Sequence, residues 1–141
     1  MIDEIKKEAE ALVEKQSWVR KGFSEMLEKM DSEVQPIIGD FTIHGTLYEE
    51  PQDWDQRDIT VCYVLTLKGE DDAKFYLQKR IVRYESRYED VNIDICEIAS
   101  LRNCVAGIPT AIEEILGKLK ELNTKYQEAI DALSEMIAKL K

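Results

Sequence analysis

The stretch 108-IPTAIEEILGKLKELNTKYQEAIDALSEMIAKL-140 carries the most regular pattern in the chain and decides its architecture. Apolar residues recur through it at steps of three and four positions without a break, as in the heptad seam of a coiled coil. At 1.5 Å per residue such a helix would be about 50 Å long, too long for a small α/β body to cover. The seam consists of Ile108, Ile112, Ile115, Leu119, Leu122, Tyr126, Ala129, Leu133, Met136 and Leu140.

Two helices are available to cover this seam. Residues 2–32 predict an N-terminal helix with a similar apolar stripe, which Pro36 and Gly39 end, and antiparallel packing of the two helices would close a monomer. The alternative partner is a second copy of the chain. Ile130 and Ile137 widen the apolar face, which favours a bundle of more than two helices and therefore a homodimer. The predicted helix interface consists of Ile112, Ile115, Leu119, Leu122, Tyr126, Leu133, Met136 and Leu140.

The middle of the chain predicts a small sheet. Residues 41–48 and 58–67 have the β-branched and aromatic content of strands, and residues 91–99 begin with the alternation of a half-buried strand. Between them, residues 71–88 are compatible with a strand, but their apolar side chains also share one helical face, so we predict a crossover helix there. The face consists of Ala73, Leu77, Ile81, Tyr84 and Tyr88.

These elements predict a single α+β domain over residues 1–141. Its parts are a long N-terminal helix, a mainly antiparallel sheet of three or four strands, and a long heptad-patterned C-terminal helix. The two terminal helices are expected to extend from the domain as coiled-coil-like arms.

The segment 49-EEPQDWDQRD-58 joins the first two predicted strands and is rich in carboxylates. Alternating acids are one feature of a calcium loop, but this segment lacks the glycine and the terminal Glu that such a loop needs. We therefore predict a solvated hairpin loop and no metal site. Its acidity makes it a possible partner-facing surface, formed by Glu49, Glu50, Asp53, Trp54, Asp55 and Asp58.

Charge limits the classes of partner. The formal net charge is −10, and most of the excess acid lies between residues 34 and 107. Such a chain repels phosphate backbones and anionic membranes, so we expect neither direct nucleic-acid binding nor membrane binding. The acidity favours solubility or a basic protein partner.

Cysteine usage and hydropathy indicate a cytoplasmic protein. The chain has three cysteines and no CxxC pair, which argues against a disulfide framework or a zinc ribbon. No apolar run reaches the ~20 residues of a membrane span, and the charged start does not resemble a signal peptide.

One resemblance to an enzyme family lies in residues 41–96. The order of predicted elements is similar to that of minimal nucleotidyltransferases, which carry Gly-Ser after one strand and Asp-x-Asp on the next. Here Gly45-Thr46 and Asp58-Ile59-Thr60 stand in those places, and Asn92 or Asp94 could supply a third polar group. The resemblance implies nucleotide binding by a degenerate member, since Thr60 replaces one of the paired carboxylates that two-metal chemistry requires.

The sequence favours interaction over catalysis. His44 is the only histidine, and no Ser/His/Asp set, HExxH, phosphate-binding loop or GxGxxG motif is present. We expect no cofactor, and a non-enzymatic assembly module that forms a homo-oligomer and binds a protein partner. In size, charge and mixed α/β order it is similar to small acidic secretion chaperones, and in charge to acidic inhibitors that imitate nucleic acid.

Overall fold

The computed structural model describes residues 1–51, 59–70, 72–83, 87–93 and 101–140. The chain begins with one long helix, continues through a four-stranded sheet, and ends with a short and a long helix. In order, the elements are α1 (Ile2–Val34), β1 (Thr42–Glu49), β2 (Thr60–Lys68), β3 (Lys74–Arg83), β4 (Arg87–Asn92), α2 (Leu101–Ala106) and α3 (Ile108–Leu140). The predicted α+β architecture is confirmed.

The sheet is an antiparallel meander in the order β1-β2-β3-β4. Strand β2 lies inside it, with β1 and β3 on its two sides, which explains the nearly continuous apolar run of its sequence. The register in which β1 pairs with β2 shifts between Thr46 and Tyr48, at a bulge or irregularity.

The predicted helix over residues 71–88 is wrong. Residues 74–83 form β3, which pairs with β2 and β4, and β4 begins at Arg87. The spacing of Leu77 and Ile81 explains the error, because positions four apart share a face in a strand as well as in a helix. Pairing on both sides of β3 overrides the local helical pattern. Of the predicted strand 91–99, β4 includes Val91 and Asn92, and residues 94–100 lie outside the described ranges.

The helices cover one face of the sheet. Helix α3 packs mainly on β1, and α1 packs on β3. Alternation in the strands places Ile43, Leu65 and Leu77 on this face, where they join the core. The buried core residues are Phe23, Ile43, Leu47, Tyr63, Leu65, Leu67, Ala73, Leu77, Leu101, Cys104, Ile108, Ala111 and Ile115.

Two glycines allow α3 to approach β1 closely. A Cβ on Gly45 would overlap the backbone of Ala111, and a Cβ on Gly107 would overlap the carbonyl of Leu47. Backbone therefore lies directly on backbone where α3 crosses the strand. This contact fixes the direction in which the rest of α3 leaves the sheet.

Side chains of α3 also occupy the outer edge of β1. Lys118 Nζ donates to the carbonyl of His44 at 2.6 Å, and the amide of Thr46 donates to Glu114 Oε2 at 3.3 Å. Both backbone groups belong to an edge strand, which would otherwise offer them to an added strand. Helix α3 thus covers the edge of β1 as well as its inner face.

Candidate functional site: two exposed helical arms

The apolar stripe of α3 is buried only along its first quarter. Ile108, Ala111 and Ile115 belong to the core, and Leu119 is partly buried against it. From residue 120 to residue 140 every position of α3 is exposed, although the apolar spacing continues unchanged. We call residues 120–140 the α3 arm. The same face that packs on the sheet therefore continues into solvent.

The structure divides the predicted helix interface into two parts. Ile115 packs in the domain core rather than on the arm, and Leu119 lies at the boundary. Ile112 is 40% exposed because Ala111, which sequence reasoning left out, takes the position that faces Gly45. The remaining predicted residues are exposed on the arm: Leu122, Tyr126, Leu133, Met136 and Leu140.

Helix α1 is also exposed along one part and packed on the core along the other, but in α1 the exposed part comes first. Its second half contacts the core through Val19, Phe23, Met26 and Met30. Its first half, residues 2–18, which we call the α1 arm, is exposed nearly throughout. The large apolar side chains exposed there are Ile2, Ile5, Leu12, Val13 and Trp18.

The two arms do not cover each other. In the described ranges, α1 and α3 do not pack along one another, because α3 lies on β1 and α1 on β3. Beyond α1 the chain returns to the β2–β3 turn, where Ala73 N donates to Ile37 O at 3.1 Å. Trp18 lies 16 residues before the end of α1, roughly 24 Å along the helix axis. The antiparallel pairing of the two helices within one chain, one of the two alternatives for covering the seam, is therefore not formed.

A shallow, open hollow lies on one side of the α1 arm. All of its lining comes from this one helix, and the apolar part comes from Ala9, Val13 and Trp18. The rest of the lining is polar or charged: Glu10, Glu14, Ser17 and Lys21. Trp18 is 75% exposed, which is unusual for so large an aromatic side chain and typical of interface anchors.

Charges border the stripe of the α3 arm. Lys125 and Lys139 pair with Glu121 and Glu135 one turn earlier, at 3.2 and 3.9 Å. All four side chains are exposed, so these pairs contribute little to the stability of the helix.

The sheet face turned away from the helices carries a polar row across all four strands. His44 Nδ1 lies 2.7 Å from Thr66 Oγ1, the Thr66 hydroxyl donates to Gln78 Oε1 at 2.7 Å, and Gln78 Nε2 donates to Asn92 Oδ1 at 2.8 Å. Since the single hydroxyl proton of Thr66 goes to Gln78, His44 must donate from Nδ1. Burial, and then the charge of Arg80, lower the pKa of His44, so the ring is neutral at pH 7.

The row links side chains from four strands and stabilises the register between them. The one cysteine described on this sheet, Cys62, lies four residues from Thr66 along β2, roughly 13 Å away at strand spacing. Burial raises the pKa of the Cys62 thiol, and it raises that of Cys104, a buried residue of α2, to about 11. Both thiols are therefore poor nucleophiles, and Cys62 is too far from His44 for a Cys–His pair.

An ion pair next to this row predicts a pH dependence. Arg80 Nε and Nη2 donate to Asp90 Oδ1 and Oδ2 at 2.8 and 3.0 Å, and this bonding holds the pKa of Asp90 below its ordinary 3.8. A lowered folded pKa stabilises the protein above the ordinary value, and this contribution is lost as the pH falls through the folded pKa. We expect Asp90→Asn to lower the free energy of unfolding by about 1–2 kcal/mol at pH 7.

The loss of unfolding free energy caused by Asp90→Asn should be equal at pH 7 and pH 5, and it should shrink below pH 3.8. Urea denaturation at each pH would measure it. Asp40→Asn, which also removes one carboxylate but at an exposed position before β1, is the matched control and should cost little at pH 7. A cost of Asp90→Asn that stays constant to pH 3 would contradict the role given to this ion pair.

The predicted acidic loop is only partly described. Glu49 ends β1, and Glu50 accepts a hydrogen bond from the Tyr63 hydroxyl at 3.0 Å. Asp53, Trp54, Asp55 and Asp58 lie outside the described ranges. Among the residues that the structure describes, no three His, Cys, Asp or Glu side chains are grouped to hold a metal ion.

The nucleotidyltransferase resemblance gains no site from the structure. Gly45, which takes the place of the glycine of the family's Gly-Ser pair in that comparison, lies beneath the backbone of α3. Asn92 is tied to Gln78, and both Asp58 and Asp94 lie outside the described ranges. The strands that are described form an antiparallel meander with no helix between β2 and β3.

Comparison of the chain with protein-family models, with curated proteins and with solved structures finds no match. None of the helices in the described part of the chain has the length and apolar content needed to cross a bilayer.

Proposed function

We propose that the protein is a cytoplasmic, non-enzymatic assembly module that forms a homodimer through its helical arms and binds a protein partner. The observation that supports the proposal is the continuity of the apolar stripe from the buried to the exposed part of each helix. Contiguous exposed apolar surface on a soluble domain marks an interaction site.

A second copy is the occupant that best fits the α3 arm. The seam keeps its heptad steps for the whole length of the arm, and Ile130 and Ile137 extend the apolar face beyond what one partner helix covers. Two copies bring four arms, which is the number that a four-helix bundle requires. Because the net charge is −10, the further protein partner is expected to have a basic surface.

Leu133→Asp tests the assembly. Leu133 is 58% exposed in the monomer and lies in the middle of the arm's stripe, so dimerisation would bury it. Placing a charge there should weaken dimerisation at least about 100-fold, since a buried Leu contributes roughly 1.5–3 kcal/mol and an unpaired buried charge costs more. Sedimentation equilibrium should give twice the 16.3 kDa chain mass for the wild type and the chain mass for the variant.

Ala138→Asp is the matched control, because it adds the same charge to the same arm on the side away from the stripe. It should sediment as the wild type does. A wild-type protein that is monomeric at 100 µM, or a Leu133→Asp variant that remains dimeric, would contradict the proposal.

A further inference from the structure

We propose that two copies of the chain pair their α3 arms as a parallel, in-register coiled coil, in which Asn123 sets the register and limits the assembly to two copies. The inference rests on the proposed homodimer and deepens it. It adds the orientation of the two helices, the residues at their contact and the role of one polar side chain.

The exposed apolar line of α3 is offset from the line that packs on the sheet. Ala111 and Ile115 are buried in the core, whereas Ile112 and Leu116, each one position further around the helix, are 40% and 50% exposed. The exposed line continues along the arm at alternating steps of four and three. Its members are Ile112, Leu116, Leu119, Asn123, Tyr126, Ile130, Leu133, Ile137 and Leu140. Leu119 is partly buried, and the other members are exposed.

On the arm, this line has the residue pattern of a parallel two-stranded coiled coil. In heptads written a to g, Ile130 and Ile137 take position a, and Leu133 and Leu140 take position d. A β-branched residue at a with Leu at d favours two parallel strands over larger assemblies. Two copies of the arm therefore fit each other side by side, with both helices pointing the same way.

Asn123 makes one register better than the others. It takes position a one heptad before Ile130, and it is exposed in the monomer. Its amide carries donors and an acceptor, so two copies of Asn123 facing each other can form a hydrogen bond across the two-fold axis. In an antiparallel pair, or in a parallel pair shifted by one heptad, each Asn123 would face apolar side chains and lose that bond. A single Asn at position a specifies register and oligomeric state in this way, at a cost in stability.

Charge allows two identical acidic arms to meet along this line. From residue 122 to residue 140, the positions e and g that flank the seam hold no charged residue: Leu122, Gln127, Ala129, Ser134 and Met136. The acids of the arm take positions b and f, on the side away from the seam: Glu121, Glu128, Asp131 and Glu135. Like charges therefore do not come together in the dimer. A basic partner would find no acid beside the seam, so a second copy fits this surface better.

Disulfide crosslinking of Leu140→Cys tests the orientation. A parallel in-register pair brings the two thiols together, whereas an antiparallel pair over residues 123–140 separates them by about 26 Å, and a disulfide needs Cα atoms within about 7 Å. Mild oxidation of Leu140→Cys should give at least about ten times the covalent dimer of the wild type, whose own cysteines are unchanged. Ala138→Cys, at position b of the same turn, is the matched control and should give no more than the wild type.

The crosslinking result separates the failure of the inference from the failure of the proposed function. If Leu140→Cys sediments as a dimer in reducing buffer but crosslinks no more than Ala138→Cys, the parallel pairing is overturned and the homodimer stands. A wild type that is monomeric at 100 µM would overturn both.

Asn123→Ile tests the role of Asn123. The variant should self-associate at least about tenfold more tightly than the wild type, and it should also form species larger than a dimer, because the polar group that limits the assembly is replaced by buried apolar surface. Thr124→Ile, at position b, is the matched control and should sediment as the wild type does. An Asn123→Ile variant that associates no more tightly would place Asn123 outside the seam, and one that associates more tightly but stays strictly dimeric would remove its role in limiting the assembly.

Discussion

Gly107→Ala is expected to lower the free energy of unfolding by about 2 kcal/mol or more, an effect of overpacking. The added methyl group would overlap the Leu47 carbonyl, an atom of a paired strand that cannot turn aside as a side chain would. Either α3 must move away from β1 or the strand must bend. Urea denaturation followed by circular dichroism would measure the change.

The helix that begins directly after Gly107 contains a control. Gly117 lies in α3 with nothing within 4 Å of the position that a Cβ would take. Gly117→Ala should therefore stabilise the protein by roughly 0.5–1 kcal/mol, since alanine favours the helix and costs nothing in packing. Gly45→Ala should resemble Gly107→Ala, because its methyl group would overlap the Ala111 backbone. Equal effects of all three substitutions would mean that close approach to β1 does not govern this helix.

These glycines show where sequence reasoning about the fold stops. The heptad steps of α3 and the nearly continuous apolar run of β2 are visible in the sequence itself, and they predict the long helix and the inner strand. Whether a glycine lies beneath a helix depends on which strand the helix crosses. The spacing of apolar residues also fails to decide the structure of residues 71–88, because Leu77 and Ile81 share a face in a helix and in a strand. Only the pairing of β3 with β2 and β4 shows that this segment is a strand.

The candidate site was predicted to a similar extent. The exposed residues of the α3 arm were named from the heptad, but the heptad could not show that Ala111, rather than Ile112, contacts the sheet. Trp18 was missed because it lies off the apolar stripe of α1. An isolated tryptophan among charged residues is the signal that could have identified it. The row from His44 to Asn92 could not be found at all, because it joins residues that only the strand register brings together.

Leu65→Ala should cost about 3 kcal/mol and lower the thermal midpoint by roughly 10 °C. Leu65 is fully buried in β2, between Gly45 on β1 and Leu77 on β3, and α3 covers the same face. The strands on both sides limit how far the cavity can collapse. Because Leu65 packs only within its own chain, the loss of stability should be nearly the same at every protein concentration.

Leu133→Ala removes the same atoms from the α3 arm, and its effect should depend on concentration. In a monomer Leu133 is 58% exposed, so its loss changes the stability of the chain very little. In a dimer the interface stabilises the folded state by mass action, so the wild-type midpoint should rise with concentration and the variant's should rise less. Scanning calorimetry from 5 to 500 µM would compare the two. If the wild type and Leu133→Ala melt together at every concentration while Leu65→Ala is shifted, the α3 arms do not stabilise a dimer.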